Sequence, residues 1–256
     1  MNQTQGLGTV SYSVAHSEVL EKSERQRVAM QLTLIIKEFL RRNNFNSLKI
    51  LDVGCSNGVI TQFISRYGGH VIGIDVDESA VQNAKINNKD TKNLSFQVAS
   101  GTNLPFKNTS FNIVVCNQVY SYTSNSEKMM KEIYRVLKPD GFCLFTGDNL
   151  LRPIEPLYNF PFLRYIPKYF ARYILKITGH KQIFTGNYKT YWDLIKLCNN
   201  FAIEDYTLKV LKQPEKFKYI KIIKYKRVVN VVPHFILKLL EPFLPSFIFI
   251  LKKVRA

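Results

Sequence analysis

The stretch Lys49-Ile50-Leu51-Asp52-Val53-Gly54-Cys55-Ser56-Asn57-Gly58 limits the possible folds more than any other part of the chain. A short apolar run passes directly into a loop with glycines at 54 and 58, and residues 59–67 follow with the composition of a helix. That order predicts a strand, a tight turn and a helix start. In a doubly wound sheet such a turn leaves backbone N–H groups and the positive end of a helix at the mouth of a crevice. Gly54 lets a ligand approach the backbone, and Gly58 permits close packing or an unusual dihedral at the helix start. Ser56 occupies the middle position of a G-x-G-x-x-G loop, so the strict dinucleotide motif is not met.

The flanking sequence fits the same architecture. Short apolar runs at 71–75, 95–98, 111–116 and 142–146 read as further strands, with helices at 79–87 and 126–137 and a Lys-Pro-Asp-Gly turn at 138–141. Strand and helix alternate through 49–146, which argues for one parallel α/β sheet. Upstream, residues 21–42 form a helix with Val28, Leu32, Ile35, Ile36 and Phe39 on one face. Residues 1–20 are polar and mixed, and read as a loosely structured arm without a secretory signal.

Beyond Asp148 the texture changes. Residues 152–184 hold four prolines among aromatic and basic side chains, which predicts short helices or a lid. Residues 188–199 read as a helix with Trp192, Ile195 and Leu197 toward the core, 201–211 as a returning strand and 247–254 as a last strand. The apolar stretch 228–251 is interrupted by prolines and charges and does not read as a membrane span. The expected organisation is a single domain over 21–256. It comprises a cofactor-binding core at 46–148, a lid or substrate region at 152–184 and a basic, apolar elaboration at 212–246.

Net charge is +17, and its distribution is uneven. Residues 51–150 carry nine basic and nine acidic side chains, whereas 151–256 carry twenty basic and six acidic, a net +14. The excess implies an anionic partner surface, lipid headgroups or nucleic acid, or serves solubility alone. Cys55, Cys116, Cys143 and Cys198 are widely spaced and read as reduced, buried residues of a cytoplasmic protein. The four histidines show no metal-ligand spacing, so no metal is expected.

Asp75 ends the second strand, where a carboxylate faces the crevice and can accept hydrogen bonds from both hydroxyls of a ribose. A bare nucleoside suits this arrangement as well as a dinucleotide; the alternative role is a helix cap, since Asp75 and Asp77 both precede a helix. Asp52, beneath the turn, could bind loop N–H groups or the positive end of a ligand.

Four blocks together resemble the class I S-adenosylmethionine-dependent methyltransferases, in their small-molecule branch. They are Ile50 through Gly58, Val71 through Asp75, Leu104-Pro105-Phe106 through Val114, and Glu132 through Gly141. The resemblance covers about residues 46–148. It implies a Rossmann-like, seven-stranded α/β sheet with a helical lid insertion, and S-adenosylmethionine as cofactor. It implies cofactor contacts from Asp52, Gly54, Cys55, Ser56, Gly58, Asp75, Val76, Gly101 and Asn117. Ser100 stands where the family usually places an acid near the adenine amino group, and Asn112 where it usually has Asp.

A sulfonium donor carries an already activated methyl group, so the protein has mainly to align a nucleophile and exclude water. The acceptor is expected above the strand ends, with Tyr120 and Tyr122 lining its pocket or carrying its proton and Asp148 as base or orienting group. The aromatic and basic surface of 152–184 either seals that pocket or lies in a bilayer interface. The favoured reading is therefore methylation of a small, hydrophobic or lipid-like acceptor, by a soluble enzyme or one peripheral on an anionic membrane. Nucleic-acid methylation is the alternative enzyme reading. A membrane-associated scaffold on the same fold is the non-catalytic one.

Overall fold

The computed structural model describes residues 22–180 and 184–254, and a seven-stranded sheet runs through it. The strands are β1 (Lys49–Val53), β2 (His70–Asp75), β3 (Leu94–Val98), β4 (Phe111–Asn117), β5 (Leu137–Asp148), β6 (Phe201–Asp205) and β7 (Ser246–Lys253). They lie in the order β3-β2-β1-β4-β5-β7-β6. Strands β1 to β5 pair in parallel, and β7 runs antiparallel to both β5 and β6. The winding reverses between β1 and β4, which opens a crevice at their carboxyl ends. The arm expected at residues 1–20 lies outside the described residues.

Alternation along each strand sorts the core into two layers, because successive side chains point to opposite faces. Ile50, Ile113, Val115 and Leu144 share one layer with Leu32, Ile35 and Ile36 of helix α1 (Lys22–Leu40) and Ile64 of α2 (Val59–Ser65). Leu51, Val53, Val114 and Phe145 share the other with Met129, Met130 and Ile133 of α4 (Ser126–Val136). Helix α3 (Glu78–Asn87) covers the β2–β3 edge, where Val81 and Ala84 pack on Phe96. All four cysteines are free and buried.

Two of the sequence blocks are joined by side chains. Glu132 accepts from the Leu104 N–H at 2.8 Å, and Arg135 donates to the carbonyls of Leu104 (2.9 Å) and Phe106 (2.7 Å). Asn112 accepts from the Lys49 N–H at 3.0 Å and from Lys138 Nζ at 3.1 Å, so it ties β4 to β1.

Several expectations are corrected. Residues 138–141 are not a separate turn: α4 passes straight into β5 because buried Leu137 pairs with Phe111, and the register shifts before Ile113 meets Phe142. Residues 201–211 are not one strand. The chain leaves the sheet at Tyr206, whose buried ring sends its hydroxyl 2.7 Å to Glu38, and α7 (Thr207–Lys212) follows. Helix α6 (Tyr191–Leu197) begins at a Thr190–Asp193 capping box that turns Leu194 and Leu197 inward and leaves Trp192 54% exposed.

The 152–184 region forms a small hairpin (Ile154–Glu155 with Phe160–Pro161), a 3-10 turn (Leu163–Tyr165) and helix α5 (Lys168–Ile177). Tyr158, Leu163, Ala171, Leu175 and Phe184 give it a small core of its own. Between β6 and β7 the chain adds α8 (Lys226–Val231) and α9 (His234–Leu240). Among the described residues no helix is long and apolar enough to cross a membrane.

Candidate active site

The loop after β1 is pinned to the neighbouring strand. The N–H groups of Gly54 and Cys55 both donate to the Ile74 carbonyl, at 2.8 and 2.9 Å. Gly54 has φ +77° and Gly58 φ +79°. A Cβ on Gly54 would come within 2.5 Å of Val119, and one on Gly58 within 2.6 Å of the Phe96 ring. Both positions therefore need glycine for conformation and for space. Ser56 takes φ +49°, so the loop keeps a left-handed residue there without a glycine, at a backbone cost. Its Oγ is buried and unpartnered among the described residues.

Asp75 braces this loop. Its Oδ2 accepts from the Ser56 N–H at 2.8 Å and its Oδ1 from the Asp77 N–H at 3.0 Å, which leaves each oxygen a further lone pair. The cap of α3 is Asp77, which accepts from Ala80 N–H at 3.0 Å; the alternative role weighed for Asp75 thus belongs to its neighbour. Beside it Val76 is 69% exposed, and Val98, next to Asp75 across the β2–β3 pair, is also exposed. Ser100 is held in a local turn, bonded to the Thr102 hydroxyl at 2.9 Å and accepting from the Thr102 N–H at 3.2 Å. Gly101 packs close to Val53 and Met129, and Asn117 accepts from the Thr146 hydroxyl at 2.7 Å.

Asp52 lies buried beneath the turn and accepts from the Thr61 hydroxyl at 2.7 Å. Burial raises its pKa to about 7 against the opposing Thr61 hydrogen bond, and the nearby Asp75 charge adds to the rise. Burial likewise pushes the Cys55 thiol well up, so it stays protonated. The crevice thus offers a backbone cradle, a half-exposed carboxylate with free lone pairs, an apolar lip and a carboxylate poised between charge states.

The residues expected to act on the acceptor have other partners. Tyr120 is buried; its hydroxyl donates to the Asp148 carbonyl and accepts from the Lys189 N–H at 3.1 Å. Both of its hydrogen-bonding capacities are used within the protein. Asp148 is no free base: Oδ2 lies 2.7 Å from Arg164 Nη2 and Oδ1 3.0 Å from Arg152 Nη1. Tyr122 meets the Tyr188 hydroxyl at 3.2 Å, and the Tyr188 ring in turn lies 3.6 Å from the Arg164 guanidinium. Arg164 also pairs with buried Glu155. Burial works against its charge, but Glu155 and Asp148 outweigh that and raise its pKa. The basic side chains of α5 are partly spent internally. Lys168 donates to Asn187 and to the Thr185 carbonyl (3.3 Å), and Arg172 to the Phe184 carbonyl (3.1 Å).

Sequence reasoning missed Thr61, Phe96 and Val119, and counted Arg164 among the basic surface groups of 152–184, whereas the structure buries it between Asp148 and Glu155. Thr61 carried a faint signal, a hydroxyl in the first turn of the helix that opens above Asp52. The other three act through contacts between segments far apart in the chain, for which no local pattern exists.

The chain is similar to several known proteins. Residues 51–145 match the family model described as a methyltransferase domain. A demethylmenaquinone methyltransferase of Lactococcus lactis is 30% identical over 172 residues, 64% of each chain. A ubiquinone biosynthesis O-methyltransferase of Colwellia psychrerythraea is 22% identical over 126 residues, 48% of this chain and 51% of that one. The chain thus spans less than two thirds of the length of these curated relatives. Among solved structures, the PH0226 protein of Pyrococcus horikoshii OT3 shares the fold with a TM-score of 0.62 at 16% identity, over 96% of this chain and 100% of that one.

Proposed function

We propose that this chain, whose residues 51–145 match a methyltransferase domain model, is a class I S-adenosylmethionine-dependent methyltransferase that acts on a small lipophilic acceptor of the quinone type. The observation that carries this reading is the Asp75 carboxylate. It is fixed by the Ser56 and Asp77 N–H groups at the edge of a glycine-lined crevice and retains lone pairs for two ribose hydroxyls. The crevice suits the cofactor on its own terms. Ser56 brings a buried hydroxyl without a partner among the described residues, and exposed Val76 offers an apolar surface for adenine.

When bound, the cofactor supplies a methyl group on a sulfonium that is ready for displacement. In this reading the loop of Gly54 to Gly58 holds the methionine portion, with Cys55 and Asn117 bordering it. Asp52 answers its positive charge and Asp75 orients its ribose, while Ser100 and Gly101 border the adenine side. Aligning donor and acceptor and keeping water out are the protein's contributions. The lipophilic acceptor is drawn from the quinone-pathway methyltransferases among the relatives. Such molecules reside in bilayers, so the enzyme is expected to act as a peripheral protein at a membrane surface.

Calorimetric titration with S-adenosylmethionine, followed by a screen of demethylated quinones for transfer of a labelled methyl group, tests the proposal. Cofactor binding with methylation of a hydrophobic phenol or quinol is the expected result. Absence of cofactor binding would overturn it, and activity confined to RNA or DNA would overturn the acceptor class.

A further inference from the structure

We infer that the segment between β6 and β7, residues 220–243, is a docking face for an anionic phospholipid bilayer. This deepens the lipophilic-acceptor reading and rests on it for the reason a bilayer is visited. The segment is built of short helices that bury almost nothing. The 3-10 stretch Ile220–Tyr225 and α8 bury no residue, and α9 buries Leu237 alone. By contrast α4, also one amphipathic helix, buries Met129, Met130, Ile133 and Val136. Helices of six and seven residues are not stable on propensity alone and depend on a covered apolar face. Here that face points outward: Val231 is 84%, Phe235 73% and Leu239 71% exposed, with Tyr225, Val228 and Phe243 exposed alongside.

Charge identifies the occupant. Residues 220–243 contain five lysines and arginines and a single carboxylate, Glu241, which is buried and pairs with Lys238. Lys221 and Lys226 pair back onto the body, with Glu24 and Glu215, and so help seat the segment. Lys218, Lys224 and Arg227 make no ion pair among the described residues. Aliphatic tips interleaved with cations match the bilayer interface, where apolar groups enter the acyl boundary and cations meet phosphate headgroups. A second copy of this chain is disfavoured, since a two-fold contact would set this unrelieved positive charge against itself. A nucleic acid would meet the cations but leave Val231 and Leu239 in water.

The molecule carries its own probe. Trp192 is the sole tryptophan, is half exposed, and lies with its ring centroid 6.0 Å from that of Phe243 at the end of the segment. The full chain would be titrated with phosphatidylcholine vesicles, with and without phosphatidylglycerol, and binding followed by sedimentation and Trp192 fluorescence. Binding that requires phosphatidylglycerol, with a blue shift of the emission, is expected. Val231→Asp with Leu239→Asp should abolish it, and because both side chains are exposed, folding and S-adenosylmethionine binding should be unchanged. Lys224→Gln with Arg227→Gln should weaken partitioning on the order of 30-fold, at ~1 kcal/mol per cationic side chain near the surface. The inference is overturned if anionic vesicles are not bound, or if the aspartate variant binds them as well as the parent. It is equally overturned if the parent is a dimer that this variant dissociates, or if RNA is bound and vesicles are not. Cofactor titration is read separately, so failure here is distinguishable from failure of the methyl-transfer reading.

Discussion

The Thr61 hydroxyl donates to Asp52 Oδ2 at 2.7 Å, and both residues are closed off from solvent beneath the turn that follows β1. This bond is the only one that the fold gives the Asp52 carboxylate among the described residues, and it does not match what burial takes from the charged form. A carboxylate with a pKa of about 7 is the result. Stability then has a definite pH dependence. Between roughly pH 4 and 7 the native state holds a proton that the unfolded chain has lost, so stability falls as pH rises through that window. Asp52→Asn removes the ionisation while leaving an oxygen for Thr61. The variant should gain on the order of 4 kcal/mol over the parent at about pH 8 and little at about pH 4. Guanidinium unfolding at both pH values measures it, and parallel curves for the two proteins would refute the assignment.

A cationic ligand near Asp52 favours the carboxylate, so S-adenosylmethionine should displace its proton on binding near neutral pH. Calorimetry in buffers of different ionisation enthalpy counts that proton. Release near pH 7 that disappears near pH 9 is expected, since Asp52 is already ionised there. Buffer-independent heats at both would place the ligand charge elsewhere.

Asp75 holds two backbone N–H groups and, in the proposed complex, a ribose. Asp75→Ala should weaken cofactor binding by on the order of 10- to 100-fold, the range for losing charge-assisted hydrogen bonds. The thermal shift that the cofactor produces should shrink accordingly. Full retention of that shift would remove Asp75 from the site.

Phe96 occupies the space a side chain at Gly58 would need, and the +79° dihedral there adds its own penalty. Gly58→Ala should cost about 2–4 kcal/mol in chemical unfolding. Phe96→Leu in that background should return part of the loss through a positive coupling in the double-mutant cycle. Strict additivity would mean that the dihedral alone sets the cost.

Arg164 is enclosed by Asp148 and Glu155 and stacks on Tyr188, joining the 152–184 region to the end of β5. Arg164→Met leaves buried Glu155 without its cation and Asp148 with Arg152 alone, at a cost of about 3–5 kcal/mol. Lysine should not rescue it, because a point charge cannot span both acids as the guanidinium fork does. A lysine variant as stable as the parent would show that only charge matters there.

The chain alone determined the alternation of strands and helices over 49–146, the glycine turn after β1 and the acid at the tip of β2. These are written in local patterns: period-two apolar runs, helical stripes and residues that turn the backbone. Asn112 and the Glu132–Arg135 pair stood inside motifs legible in one dimension, though what they hold together was not. Tertiary structure alone decided that Tyr120 and Asp148 face buried partners, that Trp192 points outward, and that the strand from Phe201 ends at Tyr206 to reach Glu38. It also decided that the cations of α5 are partly spent internally while those of residues 218–227 are largely left to solvent. Each of these outcomes depends on which distant groups compete for the same donor, charge or space. That competition exists only after the sheet has brought the segments together.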